Sequence, residues 1–183
     1  ESTSKRIFES GAEIKFSHME YEKNMLDHQW LQYAFIGFDE LTHFTKKQFF
    51  YLLTRNRSDC WIRPYIRCTC NPDPDSRVRE FIDWRIDKDW YIIEERDGVI
   101  RYFTIDKDNI IRGNSYEEVA ESIPHLLKKW DDPKEYIKSF TFIEWDLEEN
   151  TILLGIDKSY RANLMTQDEA TRKALLEKNW NHS

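Results

Sequence analysis

Long hydrophobic runs are missing from this 183-residue sequence, and no apolar segment approaches the roughly 18 residues that a membrane-spanning helix needs. Cysteine is scarce and odd in number, with Cys60, Cys68 and Cys70 and no C-x-x-C pair. Zinc binding by these thiols requires a fourth ligand, and His43 stands at no recognised spacing from them. We therefore expect a soluble, intracellular protein whose thiols are reduced and half-buried.

Positive charge is also in short supply. The sequence has 27 Lys and Arg residues against 34 Asp and Glu residues, which gives a formal net charge of −7. A protein that grips nucleic acid over a broad surface usually carries a basic face. Any contact of this chain with DNA is therefore expected to be local.

Glycine is the third scarcity, with five residues in the sequence: Gly11, Gly37, Gly98, Gly113 and Gly155. A phosphate-binding loop has the pattern G-x-x-x-x-G-K-[ST], in which backbone amides and a lysine hold the phosphates. None of the five glycines stands in that pattern. The sequence also begins at Glu1 without an initiating Met, a signal core or a lipidation motif, so we expect a fragment of a longer protein.

Aromatic residues are abundant, at 15% of the sequence, and they predict a packed globular interior. Up to residue 87, apolar segments of strand length alternate with amphipathic helices. A hairpin at about 5–17 precedes an apolar segment at 33–38 and another at 65–70, and we expect both segments to be strands buried on both faces. Thr45 and Gln48 form a capping box for the helix between them, and a further helix is expected at 76–87. This alternation predicts an α/β sheet with crossover helices.

The pattern changes near residue 88, where we place a boundary between two domains. Asp97-Gly98 joins two segments, 90–95 and 99–105, and predicts a hairpin. Residues 109–112 and 139–144 are further candidate strands. Ser115 with Glu118, and Thr166 with Glu169, match capping boxes that start helices. The region therefore predicts a small α+β subdomain.

The candidate chemistry lies at Asp39 and Glu40, which follow the apolar segment directly. Bulky apolar residues that run into two carboxylates are the Walker B arrangement of nucleoside triphosphatases. The strand places Asp39 at its carboxyl end, where it can hold Mg²⁺, and Glu40 can polarise the water that attacks the γ-phosphate of ATP. The alternative is that the two acids only end a strand and solvate a loop.

A second polar group ends the neighbouring strand. Thr69 or Asn71 could hydrogen-bond the attacking water or the phosphate, and Pro72 would stiffen the exit of the strand. The alternative is an ordinary Asn-Pro turn.

Several segments in collinear order resemble the large subunit of the tailed-bacteriophage terminase. Residues 29–44 resemble its Walker B segment, residues 67–72 resemble its coupling motif, and residues 8–16 resemble the hairpin before Walker B. Residues 138–143, 160–164 and 175–180 resemble its closing segment. Two departures are Trp30, where the family often has Gly, and Lys178-Asn179, which replaces Gly-Asp.

The resemblance implies a fold class and a set of roles. Residues 1–88 are expected to be an incomplete P-loop NTPase (RecA/ASCE-like) sheet that lacks the Walker A strand and loop, and residues 89–183 a small α+β subdomain. Asp39 is implied as the Mg²⁺ ligand, Glu40 as the catalytic base, and Thr69 and Asn71 as residues that couple ATP hydrolysis to DNA movement. The nucleotide-binding residues are not assigned, and the fragment alone is expected to have no ATPase activity.

The resemblance also implies a function and partners. The intact protein is expected to hydrolyse ATP and to translocate double-stranded viral DNA into a procapsid in the cytoplasm of the host bacterium. Its expected partners are the DNA, a portal protein, a small terminase subunit and further copies of itself in a ring on the procapsid. The alternatives are a related helicase-like translocase, a non-enzymatic interaction domain with an acidic surface, and a metal nuclease that uses Asp39, Glu40 and a further carboxylate.

Overall fold

The computed structural model describes residues 4–107, 109–128, 131–157 and 159–181. It contains two compact units, Glu1–Cys70 and Asn71–Ser183. This division reflects compactness alone, so the assignment of residues 1–88 to an ATPase core and 89–183 to a subdomain stays a prediction. Each helix of the described residues is too short or too polar to cross a bilayer.

The first unit begins with the predicted hairpin. Strands β1 (Ser4–Ile7) and β2 (Glu13–Phe16) are antiparallel, and Ile7 pairs with Glu13. Gly11 lies in the turn with a φ of 82°, a left-handed conformation that favours glycine because it has no Cβ. A 3₁₀ helix, Glu22–His28, follows the hairpin.

A β-α-β unit forms the rest of the first unit. Strand β3 (Phe35–Phe38) and strand β4 (Tyr65–Cys68) are parallel, with helix α1 (Lys46–Leu53) between them in sequence. The capping box that starts α1 is confirmed: the Thr45 hydroxyl accepts a hydrogen bond from the Gln48 amide (3.2 Å). In return, Gln48 Oε1 accepts a hydrogen bond from the Thr45 amide (2.8 Å).

The prediction that β3 and β4 are buried on both faces is wrong. Phe35 is 49% exposed and Tyr65 is 47% exposed. Only Phe38, at the end of β3, is buried, where its ring packs against those of Phe44 and Phe49 with centroid distances of 5.0 and 5.4 Å. Two strands and one crossover helix provide too few neighbours to cover both faces of a sheet.

The second unit contains a three-stranded antiparallel sheet in the order β6-β5-β7, formed by β5 (Arg101–Asp106), β6 (Asn109–Gly113) and β7 (Lys138–Phe140). Its helices are α2 (Val78–Ile82), α3 (Tyr116–Ser122), α4 (Thr151–Ile156), α5 (Tyr160–Met165) and α6 (Glu169–Leu175). Short 3₁₀ helices lie at Asp83–Arg85, Glu94–Arg96, Pro133–Glu135 and Leu147–Glu149. The buried side chains of Val119, Ile123 and Ile137 form a core cluster.

The predicted hairpin across Asp97-Gly98 is wrong. Residues Glu94–Arg96 form a 3₁₀ helix, and β5 pairs with β6 and β7 instead. Asp97 Oδ1 accepts a hydrogen bond from the Glu144 amide (2.8 Å), and the Gly98 amide donates to the Phe142 carbonyl (2.8 Å). The two turn-forming residues are thus held by the segment after β7.

The two predicted capping boxes of this unit have different outcomes. The Ser115 hydroxyl caps α3 by accepting a hydrogen bond from the Glu118 amide (3.1 Å), as expected, but the Glu118 carboxylate accepts from the Asn114 amide (2.6 Å) and does not complete the box. The N-cap of α6 is Asp168, whose carboxylate accepts from the Thr171 amide (2.9 Å), so the prediction of a cap at Thr166 is wrong. An ionised carboxylate is a strong cap because its negative charge also interacts favourably with the positive end of the helix dipole.

Candidate functional site

The carboxyl ends of β3 and β4 lie side by side. Their register pairs Phe38 with Cys68, so the next residues along the two strands, Asp39 and Thr69, are also neighbours. Ligands of parallel α/β sheets bind outside the carboxyl ends of the strands. Three of the four residues predicted as site residues, Asp39, Glu40 and Thr69, therefore lie together at this edge.

Thr69 connects the two strand ends. Its hydroxyl donates a hydrogen bond to Asp39 Oδ1 (2.7 Å) and accepts one from the Glu40 amide (3.1 Å). Its backbone continues the parallel pairing, because its amide donates to the Phe38 carbonyl (2.9 Å) and its carbonyl accepts from the Leu41 amide (2.8 Å). One side chain thus orients the Asp39 carboxylate and holds the backbone of the next residue.

Glu40 has an unusual backbone conformation. Its φ of 54° and ψ of 64° lie in the left-handed region, which costs a residue with a Cβ about 1–2 kcal/mol. The hydrogen bonds around Thr69 hold this conformation, and a 3₁₀ helix, Leu41–His43, follows it. Strained backbone of this kind occurs often at functional sites, where the surrounding contacts maintain it.

Cys70 lies in the electrostatic field of the site. Partial burial and the negative charge of Glu40 raise the pKa of the Cys70 thiol to about 11. The thiol is therefore protonated at neutral pH and is a poor nucleophile or metal ligand. Cys60, Cys68 and Cys70 are all free cysteines.

The site could bind a metal ion whose other ligands are water or substrate groups. Among the described residues, no group of three or more His, Cys, Asp or Glu side chains is positioned to hold a metal ion. Asp39 is nevertheless an exposed carboxylate, and its Oδ1 is already oriented by Thr69. Mg²⁺ commonly binds to one or two protein carboxylates, with water and substrate phosphates as its remaining ligands. Asp39 fits that mode of binding.

Asn71 is the fourth residue predicted for the site. It is exposed and is the first residue of the second unit. Its role beside Asp39 stays a prediction.

The sequence did not predict one residue that supports the site, Asn56. The Asn56 side-chain amide donates hydrogen bonds to the carbonyls of Tyr33 (3.0 Å) and Tyr65 (3.2 Å), where β3 and β4 begin. It therefore holds the two strands in register at the end opposite to Asp39. An Asn shortly after a helix looks like an ordinary turn residue, so the sequence contains no signal for this contact.

Comparison with known proteins gives one family. A model of the N-terminal region of the T4likevirus-type terminase large subunit matches residues 1–174. No curated protein and no solved structure gives a significant match. The family match covers the strand-end site and most of the second unit.

Proposed function

Because the chain belongs to the T4likevirus-type family of terminase large subunits, proteins of viral DNA packaging, we propose that it carries part of a Mg²⁺-dependent ATPase that drives double-stranded DNA into a procapsid. The observation that carries this proposal is the hydrogen bond from Thr69 to Asp39 (2.7 Å), which joins the ends of two parallel strands. A carboxylate and a polar group at the carboxyl ends of neighbouring parallel strands support the proposal, because nucleoside triphosphatases bind Mg²⁺ and position the attacking water with groups of this kind.

In this proposal, β3 and β4 are two strands of a larger P-loop NTPase sheet of the RecA/ASCE type. The Walker A strand and its loop are then supplied by a part of the intact protein outside these 183 residues. The parallel pairing with a crossover helix supports this fold class. The exposure of Phe35 and Tyr65 also supports it, since additional strands and helices would cover these rings.

The residues at the strand ends have separate roles in this chemistry. Asp39 binds the hydrated metal ion through its carboxylate, and Thr69 keeps that carboxylate in one orientation. Glu40 accepts a proton from the attacking water, and its left-handed backbone fixes where the side chain leaves the strand. When bound, Mg²⁺ neutralises the charge that develops on the phosphate groups of ATP.

Thr69 and Asn71 are proposed to couple hydrolysis to DNA movement. Thr69 bonds both to the Asp39 carboxylate and to the Glu40 backbone, so a change at the phosphate can reach β4 through one hydroxyl. Asn71 lies two residues further along the chain, at the start of the second unit. A local hydrogen-bond change at a nucleotide can produce a larger conformational change in this way.

The proposed partners are double-stranded DNA, a portal protein, a small terminase subunit and further copies of this protein in a ring. The net charge of −7 is unfavourable for a broad contact with DNA. Contact with DNA is therefore proposed to be local or to involve other parts of the motor.

Two substitutions in the intact large subunit test the proposal. Glu40→Gln should retain ATP binding and lower hydrolysis by about 10²–10⁴-fold, because an amide cannot accept the proton of the water. Asp39→Asn should weaken Mg²⁺-dependent nucleotide binding, because one ligand charge is lost. Phosphate release and the binding of a fluorescent nucleotide measure the two effects.

Asp59→Asn is the matched control, since Asp59 is an exposed carboxylate of the same unit and is not one of the predicted site residues. It should leave both measurements unchanged. If both site variants hydrolyse ATP at the wild-type rate, Asp39 and Glu40 only end a strand and have no catalytic role. That result would place the catalytic carboxylates elsewhere in the intact subunit.

A further inference from the structure

One tryptophan of the first unit is exposed although its backbone is strained. Trp61 is fully exposed, and its φ of 65° lies in the left-handed region, which is unfavourable for a residue with a Cβ. An exposed indole buries no apolar surface within the unit, and glycine would suit this backbone better. The folding of the first unit therefore does not account for a tryptophan here, and strained residues of this kind often serve binding.

Trp90 of the second unit shows a tryptophan whose contacts do account for it. Its φ of 73° is also positive, but the Arg79 guanidinium lies 4.1 Å from the centroid of its ring. Its carbonyl accepts a hydrogen bond from the Trp180 amide (2.9 Å). Within the described residues, the indole of Trp61 has no comparable ring contact or hydrogen bond.

Trp61 lies in a loop whose two ends are held together. The Asn56 side-chain amide donates a hydrogen bond to the Tyr65 carbonyl (3.2 Å), which closes the segment 57–64 at its base. We call residues 57–64 the amino-end loop, because β4 begins directly after them. The loop therefore presents Trp61 at the amino end of β4.

The amino-end loop and its flanks are basic, in a chain whose net charge is −7. Residues 55–67 contain four arginines and one acidic residue, namely Arg55, Arg57, Arg63, Arg67 and Asp59. Arg57 and Arg63 are exposed, and in the part of the chain that the structure describes neither guanidinium has a hydrogen bond or salt bridge. Arg57 directly follows Asn56 and Arg63 precedes Tyr65 by two residues, so the hydrogen bond between Asn56 and Tyr65 keeps both arginines near the base of the loop.

Two solvated guanidiniums and one open indole suit a nucleic-acid strand with unpaired bases. Guanidiniums bind phosphates, and an indole stacks on a base of any sequence. A nucleic-acid strand supplies a negative charge at every nucleotide as well as the face of a base, so one ligand engages both kinds of side chain. An intact duplex hides the faces of its bases between neighbouring pairs, whereas unpaired bases expose them.

We propose that Trp61, together with Arg57 and Arg63, forms a binding surface for a strand of DNA with unpaired bases. The proposal rests on the proposed function only for the choice of DNA over RNA. The surface is separate from the hydrolysis chemistry, because the amino-end loop and Asp39 lie at opposite ends of the parallel strands β3 and β4. Binding of DNA is measured without ATP, so its failure and the failure of the proposed ATPase are distinguishable.

The first test uses the 183-residue chain and a fluorescently labelled single strand of about 12 nucleotides, whose anisotropy reports binding. At one ionic strength, this strand should bind more tightly than its blunt-ended duplex does. An oligomer of glutamate, which supplies negative charge without bases, should compete poorly for the surface. The proposal is overturned by the absence of binding, by equal or tighter binding of the duplex, or by equal competition from the glutamate oligomer.

The second test removes the stacking face. Trp61→Ala should lower the affinity for the single strand by about 5–150-fold, the range that the loss of one stacked base produces, and leave its salt dependence unchanged. Trp61→Tyr keeps an aromatic face and should retain most of the affinity. Trp145→Ala removes an exposed indole of the second unit and is the control, which should bind like the wild type. Equal affinity of Trp61→Ala and the wild type would contradict the proposal.

The third test removes the two proposed phosphate contacts. The slope of log K against log salt concentration changes by about 0.7 for each phosphate contact of a single strand, so Arg57→Gln with Arg63→Gln should make it shallower by about 1.4. Arg77→Gln, an exposed arginine of the second unit, is the control and should keep the wild-type slope. An unchanged slope in the double variant would overturn the proposal. Because the replaced side chains are exposed, every variant should melt near the wild-type temperature, which separates lost binding from lost folding.

Discussion

In the first unit, the charged group of the candidate site lies at the surface and is hydrogen-bonded, whereas in the second unit Arg85 and Arg101, beside Trp84, are buried and each has an Nε without a hydrogen-bond partner among the described residues. Asp39 is exposed and accepts a hydrogen bond from Thr69. Arg101 is 7% exposed and its Nε has no partner. The two regions therefore present the same kind of feature, a charge near a strand end, in opposite environments.

The difference determines which property each region should affect. An exposed charge costs little to maintain, because water solvates it, and it remains available to an incoming cation. A buried charge must be compensated, so its partners contribute strongly to stability. On the proposed function, substitutions in the first region should therefore change activity more than stability, and substitutions in the second should change stability.

The largest expected effect is on stability, at Arg85. Arg85→Met removes two hydrogen bonds from a buried guanidinium to the carbonyls of Arg96 and Val99. Hydrogen bonds to charged groups contribute about 1.5–3 kcal/mol each, so the free energy of unfolding should fall by about 3 kcal/mol or more. Urea unfolding of the 183-residue chain measures this loss.

Arg101→Met is the natural comparison, because it removes a buried guanidinium that has no hydrogen-bonded partner in the part of the chain that the structure describes. The two variants should differ by several fold in their effect on stability. A similar loss in both would mean that burial alone, without the hydrogen bonds, explains what these arginines do. The contrast between an arginine with two hydrogen bonds and an arginine with none would then fail.

The next effect is on activity, at Thr69. Thr69→Val keeps the shape of the side chain and removes the hydroxyl that bonds Asp39 and Glu40. On the proposed function, Thr69 orients a metal ligand, and groups of this kind typically contribute 10–100-fold, so ATP hydrolysis by the intact subunit should fall by about that factor. Thr69→Ser keeps the hydroxyl and should retain most of the activity. Equal rates for the Val and Ser variants would show that the hydroxyl does not orient the site.

Local signals in the sequence were sufficient for the parts of the fold that local contacts decide. Thr45 and Gln48 cap α1 as expected, because both partners of a capping box lie within one turn. The strand-end site was also accessible from the sequence. Parallel strands end at one edge of a sheet, and this places Thr69 beside Asp39 even though 30 residues separate them.

Prediction from the sequence failed where a contact between distant segments competes with a local signal. Asp97-Gly98 has the composition of a hairpin turn, yet Asp97 bonds to the Glu144 amide, 47 residues away. No pattern in the residues around Asp97 indicates that the Glu144 amide is its partner. The burial of Arg101 was missed for a related reason: one arginine in a charged sequence looks solvated until the sheet and Trp84 enclose it.

Backbone strain gives a third and smaller contrast. Glu40→Gly should stabilise the first unit by about 1 kcal/mol, because glycine accepts a positive φ without strain, while it abolishes hydrolysis by removing the carboxylate. Glu40→Ala removes the same carboxylate and keeps the strain, so it should bring no such gain. Urea unfolding of the two variants measures the difference. Equal stability would mean that the left-handed conformation is not strained in this setting.

The smallest expected effect is a pH dependence of the first unit, which contains a buried histidine. His28 is 8% exposed, and its Nδ1 lies 2.8 Å from the Tyr33 hydroxyl oxygen. Burial is the main cause that lowers the pKa of His28, and the charge of Lys15 lowers it further, against the opposing charge of Asp27. The folded state therefore binds a proton at this residue less readily than the unfolded state does.

The sign of the effect follows from that difference. Above the unfolded pKa of about 6.5, His28 is neutral in both states and has no influence on the balance between them. As the pH falls below that value, the unfolded state takes up the proton first, so the free energy of unfolding of the wild-type chain declines until the folded pKa is passed.

His28→Gln retains a side chain that can hydrogen-bond Tyr33 and cannot titrate, so its stability should change less between pH 7.5 and 5.5. Urea unfolding at these two pH values, above the range in which most carboxylates protonate, compares the variant with the wild type. Equal pH dependence in the two chains would assign the effect to other groups. Weaker pH dependence in the variant would show that the first unit buries a titratable group, His28, that is neutral near pH 7. Arg101, a buried group of the second unit, stays charged at that pH.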